Sequence, residues 1–130
     1  MSTPLEFIQP KERYKGDVAL SLAVKCGKLL FVSGVPAFDR EGKLAIGDFP
    51  AQMRQVMENI AAILEESGTD WSRVVRTRVL LTRQEDFPHM NRAYAAYFPD
   101  GNYPARTTMV VQALPQPDFL LEIECDAVLT

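Results

Sequence analysis

From Val18 the chain alternates strictly. Val18, Leu20, Leu22, Val24 and Cys26 fall on one side and Ala19, Ser21, Ala23 and Lys25 on the other, which is the period-two signature of a strand. Gly27-Lys28 then gives a two-residue hairpin signal, because glycine reaches positive φ without steric penalty, and Leu29-Leu30-Phe31-Val32 predicts the returning strand, ending at Ser33-Gly34. Val35-Pro36 and the polar run Asp39-Arg40-Glu41-Gly42-Lys43 predict a turn or a short second hairpin. The period changes after Asp48, a good N-cap with Pro50 in the first turn. Met53, Val56, Met57, Ile60, Ile63 and Leu64 recur at helical spacing until Gly68, predicting an amphipathic helix of about four to five turns. Val74 to Thr82 is rich in β-branched residues, with Val75, Thr77, Val79 and Leu81 alternating against Arg76, Arg78 and Leu80. Met90, Ala93, Tyr94, Tyr97 and Phe98 predict a second helix from near Pro88 to Pro99. Two more strands follow: Arg106 to Val111, and, after the Leu114-Pro115-Gln116-Pro117-Asp118 loop, Phe119 to Val128.

This order predicts an α+β fold, a sheet of five to six strands with both helices on one face. Two helices cover only that face. On the last strand Phe119, Leu121, Ile123, Cys125 and Ala127 form one side, and Leu120, Glu122, Glu124, Asp126 and Val128 the other. Such a mixed second face needs a partner, and a homo-oligomer in which sheets meet is the economical one.

With 130 residues, 47% of them hydrophobic, the chain is long enough to bury a core as one domain. The formal charge is −3, from 14 basic and 17 acidic residues, and the basic ones are dispersed. That argues against nucleic acid and against an acidic membrane surface as partners. No apolar run reaches the ~18 residues of a membrane span, and Met1 to Pro10 has neither a basic nor a long apolar region. A cytoplasmic protein is expected. Cys26 and Cys125 fit no metal or redox spacing, and His89 is the only histidine, so no metal site is expected.

No Ser-His-Asp or Cys-His pair and no phosphate-binding glycine pattern is present. What remains is Arg106, at a strand start in Tyr103-Pro104-Ala105-Arg106-Thr107-Thr108, and Glu122, inside the last strand. An arginine can hold a small carboxylate through two parallel charge-assisted hydrogen bonds, and a nearby glutamate can hold or deprotonate a water. The default alternative is a cross-strand salt bridge between the two on a solvated face. Asn91 reads as a surface or capping residue, Ser33-Gly34 as a strand terminus, and Tyr94, Tyr97 and Phe98 as core packing.

The stretches Phe31-Val32-Ser33-Gly34-Val35-Pro36, Gln52 with Asn59, Asp86-Phe87, Asn91-Arg92-Ala93-Tyr94, Tyr97-Phe98, Pro104-Ala105-Arg106, Leu114-Pro115 and Glu122-Ile123-Glu124 nevertheless form one pattern. In this order and spacing, from about Val18 on, the chain resembles the RidA (YjgF-type) enamine/imine deaminases. Each stretch is weak alone; together they outweigh the salt-bridge reading of Arg106. The resemblance implies a chorismate-mutase-like α+β protomer assembling as a homotrimeric barrel, with active sites in the clefts between subunits. It implies hydrolysis of 2-aminoacrylate and related 2-imino acids, released by pyridoxal-phosphate enzymes acting on serine or threonine, to 2-keto acids and ammonia without a cofactor. In that reading Arg106 clamps the substrate carboxylate and Glu122 positions the attacking water, while Ser33, Gly34, Asn91 and Thr108 line the pocket.

The chain departs from the family pattern around that pocket. Val35 stands where many members carry Gln, Thr108 where they often carry Cys, and Leu20 where a tyrosine is usual, with Tyr14 nearby; the Leu114-to-Glu122 connection is a residue longer. A less polar pocket fits a larger or more apolar imino acid, or an unsaturated amino acid such as 2-aminomuconate. The competing class is a non-catalytic module that binds a small carboxylate or acts as a holdase. The endoribonuclease label also attached to such proteins fits the acidic chain least.

Overall fold

The computed structural model describes residues 2–10 and 18–130. Six strands form one sheet: β1 (Leu5–Ile8), β2 (Ala23–Cys26), β3 (Leu29–Val35), β4 (Val74–Leu81), β5 (Ala105–Val110) and β6 (Leu121–Val128). Their spatial order is β1-β2-β3-β6-β4-β5, antiparallel throughout except for the parallel β4–β5 pair. Helices α1 (Phe49–Ser67) and α2 (Phe87–Ala95) supply the rest of the core. The expected α+β sheet with two helices is what the chain forms.

Each end of α1 has a local cause. The Asp48 side chain accepts from the Ala51 backbone N–H, and Pro50 sits in the first turn. Gly68 closes the helix in the left-handed conformation, φ 91°, which a Cβ would oppose. The buried stripe of Met53, Val56, Met57, Ile60, Ile63 and Leu64 packs on the sheet face formed by Leu121, Ile123, Cys125 and Ala127 of β6. Along β6 every second residue is buried and the intervening ones are half-exposed, as its alternation requires.

Several expectations need correction. The strand anticipated from Val18 begins only at Ala23, because the alternation breaks where Leu22 and Ala23 are both buried. Beyond the break, Val24 and Cys26 lie opposite the exposed Phe31 and Leu29, on the helix-free face. Leu5–Ile8, with no sequence signal of its own, adds an edge strand beside β2. Of the two alternatives for the Asp39–Lys43 run, the structure forms the turn: the Asp39 carboxylate accepts from the backbone N–H groups of Glu41 and Lys43. In β4 a register shift between Val74 and Arg76 leaves Val75 exposed, so Val75 does not share a face with Thr77, Val79 and Leu81. The second helix stops at Ala95, and the chain continues in turns to Phe98. Tyr14 lies outside the described residues.

The helix-free face is divided. Leu5, Phe7, Leu29 and Phe31 leave an exposed apolar surface over β1 to β3. Over β6 and β4 it is charged, with Arg78 placed 3.6 Å from Glu124 and 3.7 Å from Asp126.

Two buried amides of α1 hold the loops that lead into the site. Gln52 donates to the carbonyls of Ala45 and Asp118 and accepts from the Leu120 N–H, at 3.0, 3.1 and 3.0 Å. Asn59 donates to the carbonyls of Pro36 and Phe38, at 3.1 and 2.8 Å. Gln52→Leu keeps an apolar filler but removes three hydrogen bonds, each worth about 1 kcal/mol. It is expected to destabilise the protein by about 2–3 kcal/mol in chemical denaturation. A loss below about 0.5 kcal/mol would show that the 114–120 loop is held by other contacts.

Candidate active site

Arg106 sits near the start of β5, opposite Thr77 of β4, on the face that packs against α2. Its guanidinium donates to the Asn91 side-chain oxygen at 2.9 Å and lies 3.9 Å from the Met90 sulfur. It rests 4.9 Å from the centre of the Tyr94 ring and 5.9 Å from that of Phe87. Cation–π contact of this kind holds the plane of the guanidinium without neutralising its charge. The Tyr94 hydroxyl is fixed from below by the Thr77 hydroxyl at 2.8 Å. Burial pushes the Tyr94 phenol upward, so it stays neutral. The start of α2 is pinned by Asp86, which accepts two hydrogen bonds from the Arg83 guanidinium, at 2.8 and 3.1 Å. Asn91, Tyr94, Ala95, Tyr103, Pro104 and Arg106 enclose a cavity of about 360 Å³.

Glu122 is elsewhere. It pairs in register with Leu80 on the helix-free side of the sheet, between the buried Leu121 and Ile123. With Ser33 and Gly34 it lines a second cavity of about 410 Å³. Burial, and then the neighbouring Glu124, raise its carboxyl above the ordinary carboxylate range. Gly34 is required by this closeness. A Cβ added there would lie 2.7 Å from the Glu122 Oε2, so any larger residue drives the carboxylate away. The Ser33 hydroxyl donates to the Ser21 carbonyl at 2.6 Å, tying the segment before β2 to β3. While that bond holds, the hydroxyl offers a ligand only its lone pairs.

The structure therefore brings Arg106 together with Asn91, and Glu122 together with Ser33 and Gly34, and keeps the two groups apart. A salt bridge between Arg106 and Glu122 within the chain is ruled out, because they occupy strands separated by β4 and point to opposite faces. Thr108 stands opposite Val79 on the Arg106 face of β5, outside the walls of both cavities. Val35 lines the Glu122 cavity but is itself buried in the core opposite Ile123. Sequence reasoning assigned Tyr94 to the core alone. It is buried there, and it is also the platform of Arg106. Phe87, Asn91 and Tyr94 lie four and then three residues apart, the spacing that stacks side chains on one helix face and marks the cradle. Among the described residues no group of three His, Cys, Asp or Glu side chains is placed to hold a metal ion.

Residues 11–129 match the family described as Endoribonuclease L-PSP. The chain belongs to this family, which is the YjgF/RidA family. It is 43% identical over 108 residues to a RutC family protein of Pyrococcus horikoshii, covering 82% of this chain and 84% of that one. It is 39% identical over 111 residues to the 2-iminobutanoate/2-iminopropanoate deaminase of Rattus norvegicus, covering 85% of this chain and 80% of that one. Among solved structures, RidA from an Antarctic Psychrobacter superposes with a TM-score of 0.85 at 35% identity, covering 95% of this chain and 99% of the other.

Proposed function

We propose that the chain is an imine/enamine deaminase, hydrolysing 2-imino acids such as 2-iminobutanoate and 2-iminopropanoate to 2-keto acids and ammonia. It acts as a single RidA-like domain assembled as a homotrimer, with sites between subunits. One observation carries the reading. Among the described residues Arg106 is held by neutral partners, and Glu122 is half-buried, yet the chain keeps them on opposite faces of the sheet. Each is half of a site that a second copy completes. The helix-free face, with its apolar and charged halves, supplies the surface for that contact.

The chemistry asks for little more than placement. Arg106 takes the substrate carboxylate through its two-pronged fork, as an arginine does and a lysine does not. The imine carbon is already electrophilic, so orientation and a positioned water supply most of the catalysis. Glu122 accepts a proton from that water as its oxygen bonds to the imine carbon, and the proton passes to nitrogen. The resulting carbinolamine gives its hydroxyl proton, by way of Glu122, to the amino nitrogen as the C–N bond breaks, releasing ammonia and leaving the keto acid. Asn91 steadies Arg106, while Ser33 and Gly34 shape the space at Glu122. Thr108 joins them as a pocket residue across the subunit boundary.

The family's description names an endoribonuclease, but the face carrying Glu122 also carries Glu124 and Asp126, which repel a phosphate backbone. No helix among the described residues is long and apolar enough to cross a membrane. A cytoplasmic location belongs to the same proposal. The test is direct. An amino-acid oxidase with catalase generates imino acids, semicarbazide traps them, and the added protein is expected to lower semicarbazone formation by speeding hydrolysis. An unchanged signal with folded protein that sediments as a trimer would sink the deaminase reading.

A further inference from the structure

The Glu122 cavity is larger and more apolar than a three- or four-carbon substrate needs. Its volume of about 410 Å³ falls within the range of ~300–1,000 Å³ that holds drug-sized ligands. Polar atoms are few along its wall, and one of them, the Ser33 hydroxyl, already donates within the chain. Phe38 and Phe119 meet there edge to face at 5.3 Å, a rigid aromatic corner. Val18 and Leu20, 52% and 44% exposed, also line the cavity.

We propose that the imino acids this site prefers carry a bulky apolar side chain, branched or aromatic, which seats against Leu20, Phe38 and Phe119. The inference rests on the deaminase reading above and specifies its substrate class. With Arg106 holding the carboxylate and Glu122 at the reacting carbon, the side chain of the imino acid is the part left to fill this space. A methyl group would leave most of the cavity wet. An isobutyl or benzyl group displaces that water and covers the exposed flank of Leu20, which is the free-energy source such a pocket offers.

The experiment uses the full chain and its Leu20→Ser variant. Imino acids are generated by amino-acid oxidase from alanine, leucine and phenylalanine, and kcat/KM is read for each by semicarbazide competition. The wild type is expected to favour the leucine- and phenylalanine-derived substrates over the alanine-derived one by roughly 10-fold or more. Leu20→Ser should reduce that ratio by roughly 3- to 10-fold. Calorimetry with the keto acid products gives a second readout: 4-methyl-2-oxopentanoate should bind with a more negative heat-capacity change than pyruvate. An active wild type that prefers the alanine-derived substrate, or a ratio that Leu20→Ser leaves alone, overturns this inference, keeps the deaminase, and assigns the cavity to a side chain of a neighbouring copy. No acceleration with any of the three overturns the deaminase reading and this inference with it.

Discussion

Arg106→Ala is expected to lower kcat/KM for a 2-imino acid by roughly 10²- to 10⁴-fold while leaving the fold in place. Two charge-assisted hydrogen bonds to the substrate carboxylate at ~1.5–3 kcal/mol each sum to about 3–6 kcal/mol, and each ~1.4 kcal/mol is a factor of ten in rate. The fold does not depend on the guanidinium to the same degree. Among the described residues it makes one hydrogen bond to the exposed Asn91, a long contact to the Met90 sulfur, and ring contacts to Tyr94 and Phe87. Tyr94 keeps its own anchor on Thr77 when the arginine is gone. Arg106→Lys should recover little, because a single ammonium restores the charge without the planar fork. Steady-state kinetics, calorimetry with a keto acid and a thermal melt check the three parts together. Activity within about threefold of wild type in a folded Arg106→Ala protein would remove Arg106 from the site.

What the sequence made legible follows from how local each signal is. The hairpin at Gly27, the Asp48 cap, the Gly68 stop and the alternation along β6 depend on residues within a turn or two of one another, and all four stand in the structure. The four-residue β1 lacks such a signal: its Leu5 and Phe7 are apolar yet exposed on the helix-free face, so burial does not mark it. The Val18–Cys26 alternation was misleading because alternation reports chemistry and not hydrogen bonding. Val18 and Leu20 line a cavity, while Val24 faces outward in a strand. A bulge at Val75 reverses a face without changing composition. For the site, the residues alone left Asn91 as a surface or capping residue, and only the family resemblance put it in one pocket with Arg106. The separation of Arg106 from Glu122 was invisible, since it arises from β4 running between β5 and β6, a non-local fact of strand order. The proposed site between subunits is what makes that separation intelligible.

The largest effect of pH should belong to Glu122. In the proposed mechanism it takes a proton from water and must be ionised to do so, and burial together with Glu124 holds its carboxyl above the ordinary carboxylate range. Activity therefore falls on acidification at a higher pH than an unperturbed carboxylate would give. Glu124→Gln removes the second of these causes and should move the acid limb of kcat/KM to lower pH. Glu122→Gln should cost roughly 10²- to 10⁴-fold in kcat and abolish that limb. Gly34→Ala should also lower kcat, with little loss of stability, because the only obstacle to its Cβ is the movable end of the Glu122 side chain. Stability must change in the opposite direction to activity. A carboxyl whose pKa is raised by folding stabilises the fold while protonated, and that contribution is lost as pH rises through the folded-state value. At neutral pH ionised Glu122 thus weakens the fold it serves, and Glu122→Gln is expected to melt above the wild type there, with the advantage shrinking as pH falls below the raised value. A variant that melts lower than wild type at neutral pH would mean that the charge is stabilised in the folded protein, and the desolvation on which Glu122's role as a base depends would be lost with it.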